Sequence, residues 1–501
     1  MTLSVLASAL AGIAEEMGAV LIRGAYSSNI KERRDCSAAV FDARGRMVAQ
    51  AEHIPVHLGA MPEAVAAVMA RGPEPGDVWA LNDPYTGGTH LPDLTLVSPL
   101  TSEGETIGFA VTRAHHSDVG GMRPGSMPSD SREIYQEGLI IPPLRLMRGG
   151  EWVEDVLALV LANVRTPGIR HGDLRAQVAA GAVAARRLDE LIQRRGRETL
   201  LAAFAEVIAY TERRTREALA RVPEGEYAAS GEIEGDGVTD EDVPIEVSVR
   251  VGGEGIEVDF AGTSARVAGN VNCPLAVTRS ACLFALRVLL PGDVPANAGM
   301  DAVLTVRAPE GSLVNAALPA AVVAGNVETS QRVADTVLLA LSEAVELPAQ
   351  GQGTMNNVVI GGEGFTYYET IGGGQGANAG GPGASGVHVG MSNTLNTPVE
   401  ALELEFPMRV ERYELARGSG GTGEHRGGDG VVRQLRMLAP AELSLLTDRR
   451  RHRPRGTGGG GSGETGRNEL NGEEIAPKVS RALVEGDILA VRTPGGGGAG
   501  V

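Results

Sequence analysis

The densest collection of chemistry-bearing side chains lies between residues 82 and 121. It reads Asn82-Asp-Pro-Tyr-Thr-Gly-Gly-Thr-His-Leu-Pro-Asp93, then Arg113-Ala-His-His-Ser-Asp-Val-Gly-Gly121. His90 and Asp93 from the first stretch, with His115, His116 and Asp118 from the second, supply imidazole nitrogens and carboxylate oxygens. That donor set suits a borderline divalent cation such as Zn, Mn, Fe or Co, and the lack of a nearby thiolate argues against a structural zinc knot. Residues of these types in turns more often cap or hydrogen-bond the backbone. Their spacing is what raises them above that role.

Two β-like runs, Leu94–Leu100 and Ile107–Thr112, flank the polar turn Thr101-Ser-Glu-Gly-Glu-Thr106. An antiparallel hairpin centred near residue 103 pairs residues whose numbers sum to about 207. Asp93 then faces residues 113–115, and both clusters meet at the open end of one hairpin. An even register sum puts His115 on the face of Asp93, and an odd sum puts His116 there. The sequence leaves both open.

Residues 3–25 pattern as an amphipathic helix, 35–50 as a β-hairpin and 59–71 as a helix. The spacing predicts a helical block over 151–225, strands over 226–262, helices over 274–290 and 328–345, and a Gly-rich, strand-containing part from about 352. These blocks divide the chain into 1–150 (the metal-site region), 151–225, 226–350 and 351–501, and they imply an α+β class. His53 and His57 read as cap or core residues, Cys36 as a buried thiol, and Asn357, Tyr367, Tyr368 and Glu369 as strand-edge residues. The run Arg449-Arg-Arg-His-Arg-Pro-Arg455 reads as a solvated loop or a subunit contact.

Composition removes several classes. With 45 basic and 63 acidic side chains the net charge is −18, which disfavours nucleic-acid binding. Lys31 and Lys478 are the only lysines, so neither Gly458–Gly461 nor Gly495–Gly498 belongs to a Walker A loop. Three cysteines make no disulfide framework, and the amino-terminal apolar run is broken by Glu15 and Glu16 without a basic stretch before it. A reducing cytoplasm and no membrane span are the expectation.

The chain resembles the B subunit of the hydantoinase/oxoprolinase family. The matching stretches are Glu32-Arg-Arg-Asp-Cys-Ser-Ala-Ala-Val-Phe-Asp42, the two clusters above, Glu133-Ile-Tyr-Gln-Glu-Gly138, Gly325-Asn-Val-Glu-Thr-Ser-Gln331 and Tyr367-Tyr-Glu-Thr370. The tail adds Arg426-Gly-Gly-Asp-Gly-Val-Val-Arg433 and Thr493-Pro-Gly-Gly-Gly-Gly498. The resemblance implies metal ligands at Asp35, His90, Asp93 and His115, with His116 or Asp118 as base or orienting group. It also implies a separate A-type subunit that binds ATP-Mg and phosphorylates a carbonyl oxygen of the substrate. Water activated by the metal then opens a hydantoin, 5-oxoproline or lactam ring. The alternatives are a subunit of an ATP-dependent ketone carboxylase, a non-catalytic scaffold with a structural metal, and a metallohydrolase acting alone. A hetero-oligomer is implied in the leading case.

Overall fold

Two β-hairpins meet edge to edge to make the sheet that carries the candidate site. The computed structural model describes residues 3–51, 54–57 and 59–501, so His53 lies outside the described residues. β1 (Cys36–Asp42) and β2 (Met47–Ala51) form the first hairpin, and β4 (Asp93–Ser102) and β5 (Glu105–His115) the second. With β3 (Val78–Leu81), β6 (Leu144–Arg148) and β7 (Glu151–Trp152) they build a seven-stranded sheet in the order β2-β1-β5-β4-β3-β6-β7.

Alternation along the strands sorts side chains onto two faces. Ala38, Val40, Ala110 and Ala114 join Leu10, Met17 and Leu21 of α1 (Leu3–Gly24), together with Ala176 and Ala180 of a long helix, Pro167–Arg195. Ala39, Phe41, Val97, Phe109 and Val111 face the other way, onto Ala64, Val65 and Val68 of the helix Met61–Met69. α1 is long and apolar enough to cross a membrane by length and composition, and among the described residues it is alone in this. Its stripe of Leu6, Leu10, Ile13, Met17 and Leu21 is instead buried against the protein.

The helical block comprises Glu154–Ala162, Pro167–Arg195 and Arg197–Leu219. Strands Gly225–Glu234, Asp242–Gly252 and Gly255–Asp259 form a meander, extended in parallel by Leu304–Arg307. Helices Leu275–Val288 and Ser330–Leu341 share one core with it, through Val277, Ala281, Val333 and Val337 against Ile245, Val247 and Val249. Two further sheets follow, and the architecture is α+β. The strands Met408–Ala416, Ala441–Leu446 and Lys478–Leu483 were not legible in the sequence.

The glycines of the tail have a specific use. Extended segments around 372–376, 418–430, 456–463 and 495–500 hydrogen-bond one another through backbone alone, as in Gly428 N to Gln375 O (2.8 Å), Gly496 N to Gly428 O (2.9 Å) and Gly421 N to Gly496 O (2.8 Å). The segments approach so closely that a Cβ on Gly428 would overlap the Ala384 carbonyl, and one on Gly496 the Gln375 carbonyl. Glycine is required here for contact distance, since neither residue has a positive φ.

Candidate metal centre

Three neighbouring strands end on the same edge of the sheet. Cys36 pairs with Ala114, which sets Asp35 beside His115, and His115 N donates to Asp35 O at 3.0 Å. Asp93, the first residue of β4, pairs directly with His115. The hairpin begins in odd register, with Ser102 opposite Glu105 across the turn Glu103-Gly104, both in the left-handed region. A shift between Leu100 and Thr101 then pairs Leu100 with Gly108, and the sum becomes even. That bulge turns His115, not His116, onto the face of Asp93.

His90 arrives from the turn just before β4, and its Nδ1 lies 3.3 Å from Val323 O. One ligand atom from each of His90, Asp93 and His115 falls within 4.8 Å of the others, and all three residues are buried. Asp93 Oδ2 accepts from Thr89 Oγ1 at 2.5 Å and lies 3.3 Å from His90 Nε2 and 3.5 Å from His57 Nε2. The His115 ring is stacked on Tyr368 (4.2 Å, 4°), and Asn29 Nδ2 binds the His115 carbonyl at 2.7 Å and approaches Nδ1 at 3.2 Å. Arg33 fixes that amide through Asn29 Oδ1 at 2.7 Å.

Several atoms here have no hydrogen-bond partner: His90 Nε2, His115 Nε2 and Asp93 Oδ1. Buried polar atoms left this way are costly, about 1–3 kcal/mol each. Burial favours a neutral Asp93, but the imidazoles of His90 and His57 outweigh it and hold the carboxyl well below the usual range. Burial pushes Asp35 up against the pull of Arg33, and the Asp93 charge adds to the rise. Burial also pushes His115 down, and His90 reinforces it. Two carboxyls and facing imidazoles, with three donor atoms lacking a hydrogen-bond partner, fit a divalent cation. A cavity of about 20 Å³ lies among them, lined by Asp35, His57, Asp93, His115, Asn326 and Tyr368 with a few apolar and hydroxyl groups. That is room for one ion or water. Cavities of about 630 and 220 Å³ lie elsewhere and include none of these residues.

His116 and Asp118, expected as base or orienting groups, lie outside the lining of this cavity. His116 points to the opposite face, where Nε2 lies 3.0 Å from Gln177 Oε1, and burial lowers it to about 4. Asp118 is occupied by Arg165 (2.9 Å) and by the backbone of Gly120, Gly125 and Arg165, so it braces a loop. The nearest further imidazole is His57, held by Ser37 Oγ at 2.9 Å and lining the cavity. The hairpin of β1 and β2 points toward it: the last observed pair is Ala38 with Ala51, and His57 follows six residues after Ala51.

Tyr368 and Asn357 are buried parts of the site, not strand-edge fillers: Tyr368 Oη donates to Asn357 Oδ1 at 2.9 Å, and Asn357 Nδ2 to Glu328 at 3.1 Å. The basic run is internal only at its start: Arg449 is buried, whereas Arg451, Arg453 and Arg455 are exposed. Glu234 accepts backbone N–H groups of Arg450, Arg451 and His452 (2.6–2.8 Å), Arg449 pairs with Asp335 at 2.8 Å, and Arg451 and His452 pair with Asp242. Cys36, Cys273 and Cys282 are buried free thiols.

Glu137 gives a pH test of the frame behind His90. Its carboxyl binds Val322 N, Val323 N and Ser131 Oγ, yet burial raises it from 4.5 to about 7. The folded chain thus keeps a proton between those values that the unfolded chain releases, so stability falls as pH rises through this window. Denaturant midpoints at pH 5 and pH 8 are expected to differ less in Glu137→Gln than in the wild type. An equal difference in both would contradict this.

The overall fold recurs in known proteins. The chain belongs to the hydantoinase B/oxoprolinase family, whose model matches residues 1–501. It is 40% identical to an uncharacterized protein of Methanocaldococcus jannaschii, covering all of this chain and 90% of that one. It is 39% identical to 5-oxoprolinase 1 of Arabidopsis thaliana over 98% of the chain, but spans only 41% of that protein. The putative B subunit of a D-/L-hydantoinase from Pseudomonas sp. (strain NS671) is 32% identical, with 100% and 89% covered. The crystal structure of an ATP-dependent caprolactamase from Pseudomonas jessenii superposes with a TM-score of 0.91 at 30% identity, covering 99% of this chain and 90% of that one. Acetone carboxylase, at 18% identity and a TM-score of 0.89 over 99% and 75%, shares the fold.

Proposed function

We propose that the chain is the metal-bearing B-type part of an ATP-dependent cyclic-amide hydrolase. It acts on a hydantoin, 5-oxoproline or lactam ring whose carbonyl oxygen a nucleotide-binding A-type subunit has phosphorylated with ATP-Mg. The observation that carries this reading is the convergence of partnerless donors from His90, Asp93 and His115 within 4.8 Å, at a small cavity lined by Asp93, His115 and Asp35. The names of the relatives support the ring chemistry, and the absence of a Walker A motif agrees with a nucleotide site outside these residues.

His90, Asp93, His115 and Asp35 would hold the cation. When bound, it supplies Lewis acidity toward a carbonyl oxygen or a water. The chain does the rest by position. Val323 and the Tyr368 stack set the two ring planes, Thr89 sets the Asp93 carboxylate, and burial keeps bulk water away from the activated carbon. His57 is the imidazole placed to move a proton at the cavity wall. In this reading His116 and Asp118 support the surrounding loops. Three unpaired buried cysteines agree with a cytoplasmic setting, in a hetero-oligomer with the A-type subunit.

The test mixes the purified chain with its A-type subunit and supplies ATP and 5-oxoproline, hydantoin or caprolactam. Ring opening is expected only with both proteins, and is expected to stop on chelation and return with a divalent ion. Turnover by this chain alone, or turnover only with a ketone and bicarbonate, would reject the proposal.

A further inference from the structure

The stretch Gly325-Asn-Val-Glu-Thr-Ser-Gln331 lies outside the metal cluster, yet Gly325–Thr329 is a π-helical turn. Thr329 N reaches back to Ala324 O and Ser330 N to Gly325 O, each across five residues. Such widened turns recur at functional sites, where they redirect a side chain. The side chain presented here is Asn326, buried at 3% exposure and lining the cavity with Asp93 and His115.

Its orientation is set by chemistry. Asn326 Nδ2 lies 3.4 Å from Asp93 Oδ2, and a carboxylate tolerates only the NH₂ end of an amide. Oδ1 is therefore the free end, and it is buried without a hydrogen-bond partner. The other hydroxyls around the cavity are engaged. Thr370 and Thr394 bind each other (2.7 Å) and Arg33 (2.5 and 3.2 Å), and Ser392 Oγ lies 2.8 Å from His388 Nδ1. Outside the His–Asp cluster, Asn326 Oδ1 is the side-chain acceptor left open among the described residues of this wall.

We propose that Asn326 Oδ1 accepts the N–H of the scissile amide, so that Asn326 is a substrate-positioning residue selecting rings unsubstituted at that nitrogen. This rests on reading the site as one that opens cyclic amides. The bond orients the carbonyl toward the cation site and keeps the proton on nitrogen, the state in which an O-activated amide is most open to attack. A ring methylated on that nitrogen leaves Oδ1 buried and unpaired, which such sites reject strongly. A ring exceeds the present 20 Å³, so the assignment requires the lining, which includes Ile54, Val56, Val327 and Met355, to open on binding.

The experiment uses the reconstituted complex with whichever of 5-oxoproline, hydantoin or caprolactam it turns over, beside the analogue methylated on the scissile nitrogen. Bound metal is measured in parallel. The wild type is expected to prefer the N–H ring by about a hundredfold in kcat/KM. Asn326→Ala is expected to lower that preference to within a few-fold while retaining the metal. Asn326→Gln, which keeps both ends of the amide, is expected to retain more of the preference than Asn326→Ala even where kcat falls. A wild-type preference near one, or an undiminished preference in Asn326→Ala, overturns the assignment. So does a loss of metal in Asn326→Ala with the preference unchanged, which makes Asn326 a ligand instead. Failure of the wild-type complex to open any cyclic amide falls on the reading of the site, not on Asn326.

Discussion

Replacing His90 with Ala is expected to strip the bound metal and lower ring opening by the reconstituted complex at least a thousandfold, equivalent to about 4 kcal/mol of barrier. The imidazole is one of three buried donors that converge within 4.8 Å, and its Nε2 makes no hydrogen bond in the protein. Its removal costs the fold the contact of Nδ1 with Val323, the approach of Nε2 to Asp93 Oδ2 at 3.3 Å and some packing. Metal analysis, turnover and thermal melting on the same preparation separate the two effects. Loss of metal and activity with a melting point within a few degrees of wild type is the expected pattern. Full activity with normal metal content would remove His90 from the site.

The second large effect belongs to the fold. Gly428→Ala is expected to destabilise the chain by more than about 3 kcal/mol, because the added Cβ meets the Ala384 carbonyl, and backbone cannot rotate away as a side chain does. The same segment donates from Gly428 N to Gln375 O and accepts from Gly496 N, so movement also breaks the bonds that tie the tail together. Gly253→Ala is the control: a Cβ there meets nothing within 4 Å, and φ is not positive. Equal melting points for Gly428→Ala and Gly253→Ala would contradict the close-packed account of these glycines.

Much of the candidate site could be read from the sequence because a hairpin with a short turn nearly fixes which residues face each other. Asp93 and the His115-His116 pair came together on that arithmetic alone. The choice between the two histidines did not, because it depends on one irregularity between Leu100 and Thr101, and a bulge has no clear signature in this polar turn. His57 was within reach of the same reasoning applied to the first hairpin. Asn326, Tyr368 and Arg33 lie on segments far apart in sequence, and only long-range packing brings them together. The basic run at 449–455 is legible only in part for a related reason. Arg451, Arg453 and Arg455 are exposed as expected, but the acidic partners Glu234, Asp242 and Asp335, more than a hundred residues earlier, fold against its start.

The most direct check is anomalous X-ray diffraction from crystals of the full chain grown with a divalent transition metal, recorded at that metal's absorption edge. The account predicts one strong peak within bonding distance of His90, Asp93 and His115, with Asp35 at its side. A peak bound by other residues, or none there in protein that supports metal-dependent turnover, would contradict it.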